Sequence, residues 1–253
     1  MTNRRLCVHI GASKTGTSAL QRALRDSAGV LRRAGVGLPF ADRHAHVRRL
    51  LRPAGWAAGS GFVRPVNPGL VPTLADILRS TPGDRLLVTN EDLCEMDPSR
   101  IALVGQAAAD AGLDVEVVLT ARDWGKQLPS EWQQFLKHRL TLDFPTFLER
   151  VRHRQGAAAE HYWIRQDYAG ISARWGAALD PGKVHVIAVP SMSQDPDGVF
   201  RMFGEVVGFD GQALRRPQQA VNPSFGYVEA EVLRRLNLTL GDRLLDYERE
   251  YSP

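Results

Sequence analysis

Apolar and polar positions follow two periods along this chain. LCVHIG (6–11) is a short apolar run with β-branched members that ends in Gly, the pattern of a buried strand. In the next stretch Leu20, Ala23, Leu24 and Leu31 recur at three-to-four spacing, with Gln21, Arg22, Arg25 and Asp26 opposite. That spacing predicts an amphipathic helix, with Gly35 as its stop signal. VGLPF (36–40) reads as a second short strand, TLADILRS (73–80) as a helix, DRLLVTNE (84–91) as a strand, and residues near 98–111 as a helix. DVEVVLTARD (114–123) is the clearest strand: Val115, Val117, Val118 and Leu119 are apolar and three of them are β-branched. A helix is predicted over 124–138, with Trp124, Leu128 and Trp132 on one face, and others at about 145–153 and 165–179. KVHVIAVP (183–190) is a further strand, and helices at 197–207 and 224–237 close the pattern.

Strands alternating with helices predict an α/β fold: a three-layer sandwich around a mainly parallel sheet of four to five strands. No linker composition marks a second domain, so residues 1–253 are read as one. Residues 41–72 interrupt the alternation. They hold five Arg, two His, several Gly and Pro turns, and the aromatics Trp56 and Phe62. This stretch reads as a long excursion, with one helix near 44–52, of the kind that serves as a substrate loop or lid.

Composition narrows the class. The 253 residues are 43% hydrophobic and 24% charged, ordinary globular usage that excludes a disordered or collagen-like chain. No run approaches the ~18 consecutive apolar residues of a membrane span, and the N-terminus lacks a secretory apolar region. A cytoplasmic protein with no integral membrane segment is expected. Cys7 and Cys94 are too few for a disulfide framework and lie at no metal-ligand spacing, so they read as reduced, core-like residues. The net charge is +4, and only Lys14, Lys126, Lys137 and Lys183 among the basic residues are lysine. Residues 41–64 carry Arg43, Arg48, Arg49, Arg52 and Arg64 against Asp42 alone. A local basic surface points to an anionic small ligand rather than to nucleic acid, and no nucleic-acid motif appears.

The chemistry concentrates in GASKTGTS (11–18), between the first strand and the first helix. Unpaired N–H groups and the dipole of a helix start favour an anion there. Gly11 permits a tight exit, Gly16 lets the backbone approach the ligand, Thr15, Thr17 and Ser18 offer hydroxyls, and Lys14 adds a full charge. A Walker A loop carries Lys directly after its second Gly; here that position is Thr17 and the lysine lies earlier, at Lys14. A nucleotide kinase would lack its phosphate-bridging lysine. A kinase, or a nucleotide-binding protein without catalysis, stands as the alternative reading. LLVTNE, which mimics a Walker B strand, keeps the kinase in view.

VHIGASKTGTSALQ resembles the 5′-phosphosulfate loop of sulfotransferases that use 3′-phosphoadenosine 5′-phosphosulfate (PAPS). VVLTARDWGKQLPSEWQQ resembles the same family's 3′-phosphate element, and RRPQQAVNPSFGYVEAEVLRRLN its C-terminal segment in small bacterial members. One departure is PSMSQDP (190–196), where many relatives have an acidic Glu-Asp-Leu turn. The resemblance implies a P-loop-like nucleotide-binding architecture, PAPS as donor, adenosine 3′,5′-bisphosphate (PAP) as product, and no metal. It implies Lys14 at the bridging oxygen and Thr15, Gly16, Thr17 and Ser18 around the 5′-phosphate. Arg122 and Ser130 would meet the 3′-phosphate, with Arg215 and Arg216 further candidates. Transfer to a hydroxyl or amine of a small-molecule, sugar or lipid acceptor needs a general base. Glu91 is the first choice, His46 the second and His44 the third. An Arg-rich excursion favours an acidic acceptor.

Overall fold

The structure is a computed structural model that describes residues 4–40, 69–191, 193–217 and 226–243. Of the excursion read over 41–72, residues 41–68, with His44, His46, Trp56 and Phe62, lie outside the described residues, and its end belongs to the helix Leu70–Ser80. The sequence reading treats 1–253 as one domain; packing groups the chain into two compact units, Met1–Arg122 with Ile164–Val221, and Asp123–Trp163 with Asn222–Pro253.

The first unit holds the sheet. Strands β1 (Arg4–His9), β2 (Val36–Gly37), β3 (Arg85–Thr89), β4 (Leu113–Ala121) and β5 (Val184–Ala188) lie in the order β2-β3-β1-β4-β5, every neighbouring pair parallel. Strand alternation sends Leu6 and Val8 to one face and Cys7 to the other. The first face packs on helices Leu70–Ser80, Pro98–Asp110 and Tyr168–Ala178 through Leu74, Leu78, Ile101, Val104, Ile171 and Trp175. The second packs on helices Thr17–Asp26, Ala28–Arg33 and Gly198–Val207 through Leu20, Leu24, Leu31, Phe200 and Phe203. The three-layer α/β arrangement is the expected one, with five strands, all parallel.

Two helices differ from the sequence reading. The first predicted helix is broken at Ser27, which leaves helical dihedrals (φ −113°, ψ 20°) while its hydroxyl accepts a hydrogen bond from the Arg215 N–H at 2.8 Å. The segment read as one helix over 165–179 is two, Ala157–Gln166 and Tyr168–Ala178, because the Asp167 carboxylate caps the second by accepting from Gly170 N–H at 3.0 Å. AAAEHYWIRQ carries apolar residues on all sides, so no stripe marks its helix in the sequence.

The second unit is helical: Trp124–Lys137, Phe144–His153, most of Ala157–Gln166, and Tyr227–Leu240. Its core is Trp132, Phe135, Leu136, Phe147, Val151 and Tyr162. Trp124, expected on the buried face with Trp132, is exposed.

Candidate functional site

The strand order places the site. From β1 the chain leaves toward β3 and β2, and from β4 it leaves toward β5, so the sheet reverses direction between β1 and β4. Ligands of open α/β sheets sit at the carboxyl edge of such a switch point. The 11–16 loop follows β1 there. Ile10 N–H donates to Val118 O at 3.0 Å, Ala12 N–H to Thr120 O at 2.9 Å and Thr120 N–H to Gly11 O at 2.6 Å, so the β1–β4 ladder runs on past the strand into the loop.

Lys14 (φ 61°) and Gly16 (φ 88°) are both left-handed, and Thr15 between them is not. Alternating hand is the pattern of a backbone nest, in which successive N–H groups face one concavity. Helix Thr17–Asp26 starts immediately after, with Gly16 as a cap that offers no side chain and no acidic residue in its first turn. Its first N–H groups and the positive end of its dipole therefore face outward. Among the described residues an ideal Cβ on Gly16 would meet nothing within 4 Å, so the cap is not covered by any of them. Gly16 is exposed, Lys14 and Ser18 are half-buried, and Thr15 and Thr17 are buried.

Thr15 corrects one expectation. Its hydroxyl does not face a ligand; it donates to Ala12 O at 2.7 Å and lies 2.6 Å from Thr120 Oγ1. Only its backbone N–H remains for an anion, because the side chain is spent inside the loop.

β3 brings Glu91 to the same edge. Asn90 N–H donates to His9 O at 3.0 Å, and the Asn90 side chain accepts from Asp92 N–H at 2.9 Å, starting a short 3-10 turn at Glu91. A Cβ on Gly11 would lie 3.0 Å from Glu91 O and 3.1 Å from Glu91 Cα, so the loop backbone rests directly on Glu91. The Glu91 carboxylate accepts at Oε2 from Gln21 Nε2 at 2.8 Å. The helix that begins at the loop thus aims this carboxylate. Cys94 donates its S–H to Glu91 O at 3.0 Å; burial pushes its thiol up to about 12.

β4 ends at Arg122. Its Nη1 donates to Lys14 O at 3.1 Å, and its backbone is bracketed by the Tyr168 hydroxyl at 3.3–3.4 Å. Arg165 forms a second clamp. Its guanidinium donates to Asp92 Oδ1 at 3.1 Å, to Glu95 Oε1 and to Ser13 Oγ at 3.4 Å, while Gln166 Nε2 donates to Ser13 Oγ at 2.8 Å. The loop is thereby held at Ser13 as well as at Lys14.

The structure brings together Lys14, Gly16, Thr17, Ser18, Glu91 and Arg122. Ser130 belongs to the second unit, half-buried on helix Trp124–Lys137. Arg215 is exposed, and its N–H binds Ser27, at the far end of the ten-residue helix that starts at the loop. A ten-residue helix spans about 15 Å, so Arg215 is not gathered with the loop. Arg216 is structural: it pairs with Asp197 at 2.7 Å and stacks over the Phe200 ring at 3.9 Å. His46 lies outside the described residues. His9, Gln21, Thr89, Thr120, Arg165 and Gln166 were missed by sequence reasoning. Only His9 inside an apolar strand carried a signal in the sequence; Gln21, read on the polar side of its helix, is buried. Among the described residues no group of His, Cys, Asp and Glu could hold a metal ion, and no helix is long and apolar enough to cross a membrane.

No protein-family model and no curated protein matches this sequence. Among solved structures the chain is similar to a sulfotransferase from Alicyclobacillus acidocaldarius, with a TM-score of 0.55 and 16% identity over 87% of each chain. The fold is therefore sulfotransferase-like.

Proposed function

We propose that this protein is an enzyme, a sulfotransferase that moves a sulfuryl group from PAPS to a hydroxyl or amine of a small-molecule, sugar or lipid acceptor. The observation that carries the reading is the 11–18 loop at the β1–β4 switch point, with Lys14 ahead of the helix start and Arg122 against its carbonyl. The residues present fit an adenylyl phosphosulfate: a helix start for the 5′-phosphate, a lysine beside it, and an arginine that commits one of its five N–H donors to Lys14 O. When bound, the donor supplies an electrophilic sulfur and a phosphate as leaving group.

In this reading the first N–H groups of helix Thr17–Asp26 and the Ser18 hydroxyl hold the 5′-phosphate. Lys14 faces the oxygen on which negative charge grows as the S–O bond breaks, so it favours the transition state over the ground state. The free donors of Arg122 take a second anionic group, assigned to the 3′-phosphate. Glu91 is the base: Gln21 occupies Oε2, which leaves Oε1 to take the proton of the attacking acceptor.

The test is calorimetric and thermal-shift titration of the full chain with PAP, ADP and ATP–Mg²⁺, on wild type and Lys14→Ala. Saturation at 100 times Kd adds about 2.7 kcal/mol, roughly 5–11 °C in Tm for a chain of this size. Stabilisation by PAP, weakened in Lys14→Ala, is expected. Stabilisation by ATP–Mg²⁺ alone would overturn the donor assignment.

A further inference from the structure

Beneath the loop runs a chain of polar side chains, buried except for the half-buried Thr89, that the proposed transfer does not use. His9, the last residue of β1, is fully buried and meets the Phe203 ring edge-on, centroids 5.1 Å apart. Its Nδ1 lies 2.7 Å from Thr89 Oγ1 on β3, and its Nε2 lies 3.4 Å from Thr120 Oγ1 on β4. Thr120 Oγ1 lies 2.6 Å from Thr15 Oγ1, which lies 2.7 Å from Ala12 O. The line crosses three adjacent strands and ends on the loop backbone.

The protons can be assigned from what each atom is able to do. Ala12 O only accepts, so Thr15 spends its one proton there. The Thr120 hydroxyl donates to Gly11 O at 2.8 Å, a carbonyl that also accepts Thr120 N–H at 2.6 Å, and the 2.6 Å Thr15–Thr120 contact shares one of the two hydroxyl protons. The Thr120 oxygen is left to accept from His9 Nε2–H, and the bare Nδ1 accepts from Thr89 O–H. This direction needs a neutral imidazole with its proton on Nε2. Burial holds the ring in that form, pushing its pKa down to about 4.

We propose that His9 is a positioning residue: with Thr89, Thr120 and Thr15 it locks the Gly11–Thr15 turn in the conformation that presents Lys14 and the following N–H groups to the anionic end of the donor nucleotide. This rests on the nucleotide reading of the loop given above. An apolar side chain would fill the space under Phe203 equally well but would leave Thr120 without its donor, and the turn would lose its tie to β1.

The experiment compares wild type with His9→Gln, His9→Asn, His9→Leu, Thr15→Val and the His9→Leu/Thr15→Val pair. Gln places an amide N–H near the Nε2 position; Asn reaches only the Nδ1 position. The readouts are PAP affinity by calorimetry and hydrogen exchange at the amides of residues 13–16 in the unliganded protein. Expected are near-wild-type affinity in His9→Gln and a loss of about tenfold in His9→Asn and His9→Leu. Faster exchange at 13–16 should accompany that loss, and the paired substitution should weaken binding little beyond either single one. Equal affinity in all His9 variants, or Gln behaving as Leu does, would overturn the assignment. If His9→Leu does not fold, the Gln–Asn contrast and Thr15→Val decide the matter alone. If wild type binds only ATP–Mg²⁺, the donor reading fails and the same comparison is made with that nucleotide. If it binds neither, the exchange rates decide, and unchanged protection in His9→Asn sinks the proposal.

Discussion

Gly11→Ala is the perturbation whose cost follows most directly from the geometry. Gly11 has φ +101°, where an L side chain is strained; such backbone strain costs about 1–3 kcal/mol. The new Cβ would also lie 3.0 Å from Glu91 O, 3.1 Å from its Cα and 3.3 Å from its Cβ. Two of those atoms are backbone, in a turn tied to β1 through Asn90 N–H on His9 O. They cannot swing aside, and overpacking of that kind adds about 1–3 kcal/mol. The sum is about 2–6 kcal/mol, or roughly 4–24 °C in Tm. Gly16→Ala is the control, because its φ is +88° but its Cβ would meet nothing within 4 Å among the described residues. It carries the strain without the overlap, and the loss of unfolded-chain freedom on replacing Gly is common to both. Thermal unfolding followed by circular dichroism should therefore rank wild type above Gly16→Ala and Gly16→Ala above Gly11→Ala. If Gly11→Ala matches Gly16→Ala, the close approach of the loop to Glu91 does not carry the energy assigned to it.

Lys14→Ala should lower kcat by about 10²–10³, read in a sulfuryl-transfer assay once an acceptor is found; a change confined to KM would remove Lys14 from the leaving oxygen. Glu91→Gln should abolish turnover while PAP affinity is kept, and an active Glu91→Gln enzyme would shift the base elsewhere. His9 sits at about 4 in the fold against 6.5 in a free chain, so the unfolded chain takes up the proton first as pH falls. Stability is then full above about 6.5 and falls by about 3 kcal/mol down to about 4; urea unfolding at several pH values should show that slope flattened in His9→Gln. Cys7 and Cys94 are buried, with desolvation pushing both thiols up to about 12. A disulfide reagent at pH 8 should titrate them only after unfolding, and a fast reaction of the folded protein would contradict their placement.

The 11–18 loop was legible because its signal is local. LCVHIG, two glycines, a lysine, hydroxyl residues and an amphipathic helix follow one another within one strand–turn–helix unit, and hydrogen bonds of the same short range build that unit. Arg122 and Glu91 were legible for a related reason: each ends an apolar run, and in a parallel sheet the ends of strands share an edge. The clamps on the loop were not legible. Arg165 reaches Ser13 across 152 positions, Thr15 meets Thr120 across 105, and Gln21 meets Glu91 across 70. No periodicity encodes such pairs. Thr15 illustrates the consequence, since in the sequence its hydroxyl is one more phosphate donor, and in the fold it belongs to Thr120.

By itself, then, the sequence determined the five strands and most of the helices, the parallel run of the strands, and the place of the Gly-Lys-Thr loop between the first strand and its helix. Those properties rest on spacing of apolar residues, on φ preferences and on the chemistry of a helix start, all set within some ten residues. The tertiary structure decided the strand order, and with it the β1–β4 switch point, the seat of Gly11 on Glu91, and the polar line from Thr89 to Ala12. It also moved Arg215 to the far end of the helix from the loop. These depend on register between strands remote in the chain, and register is chosen by how two cores pack on opposite faces of one sheet.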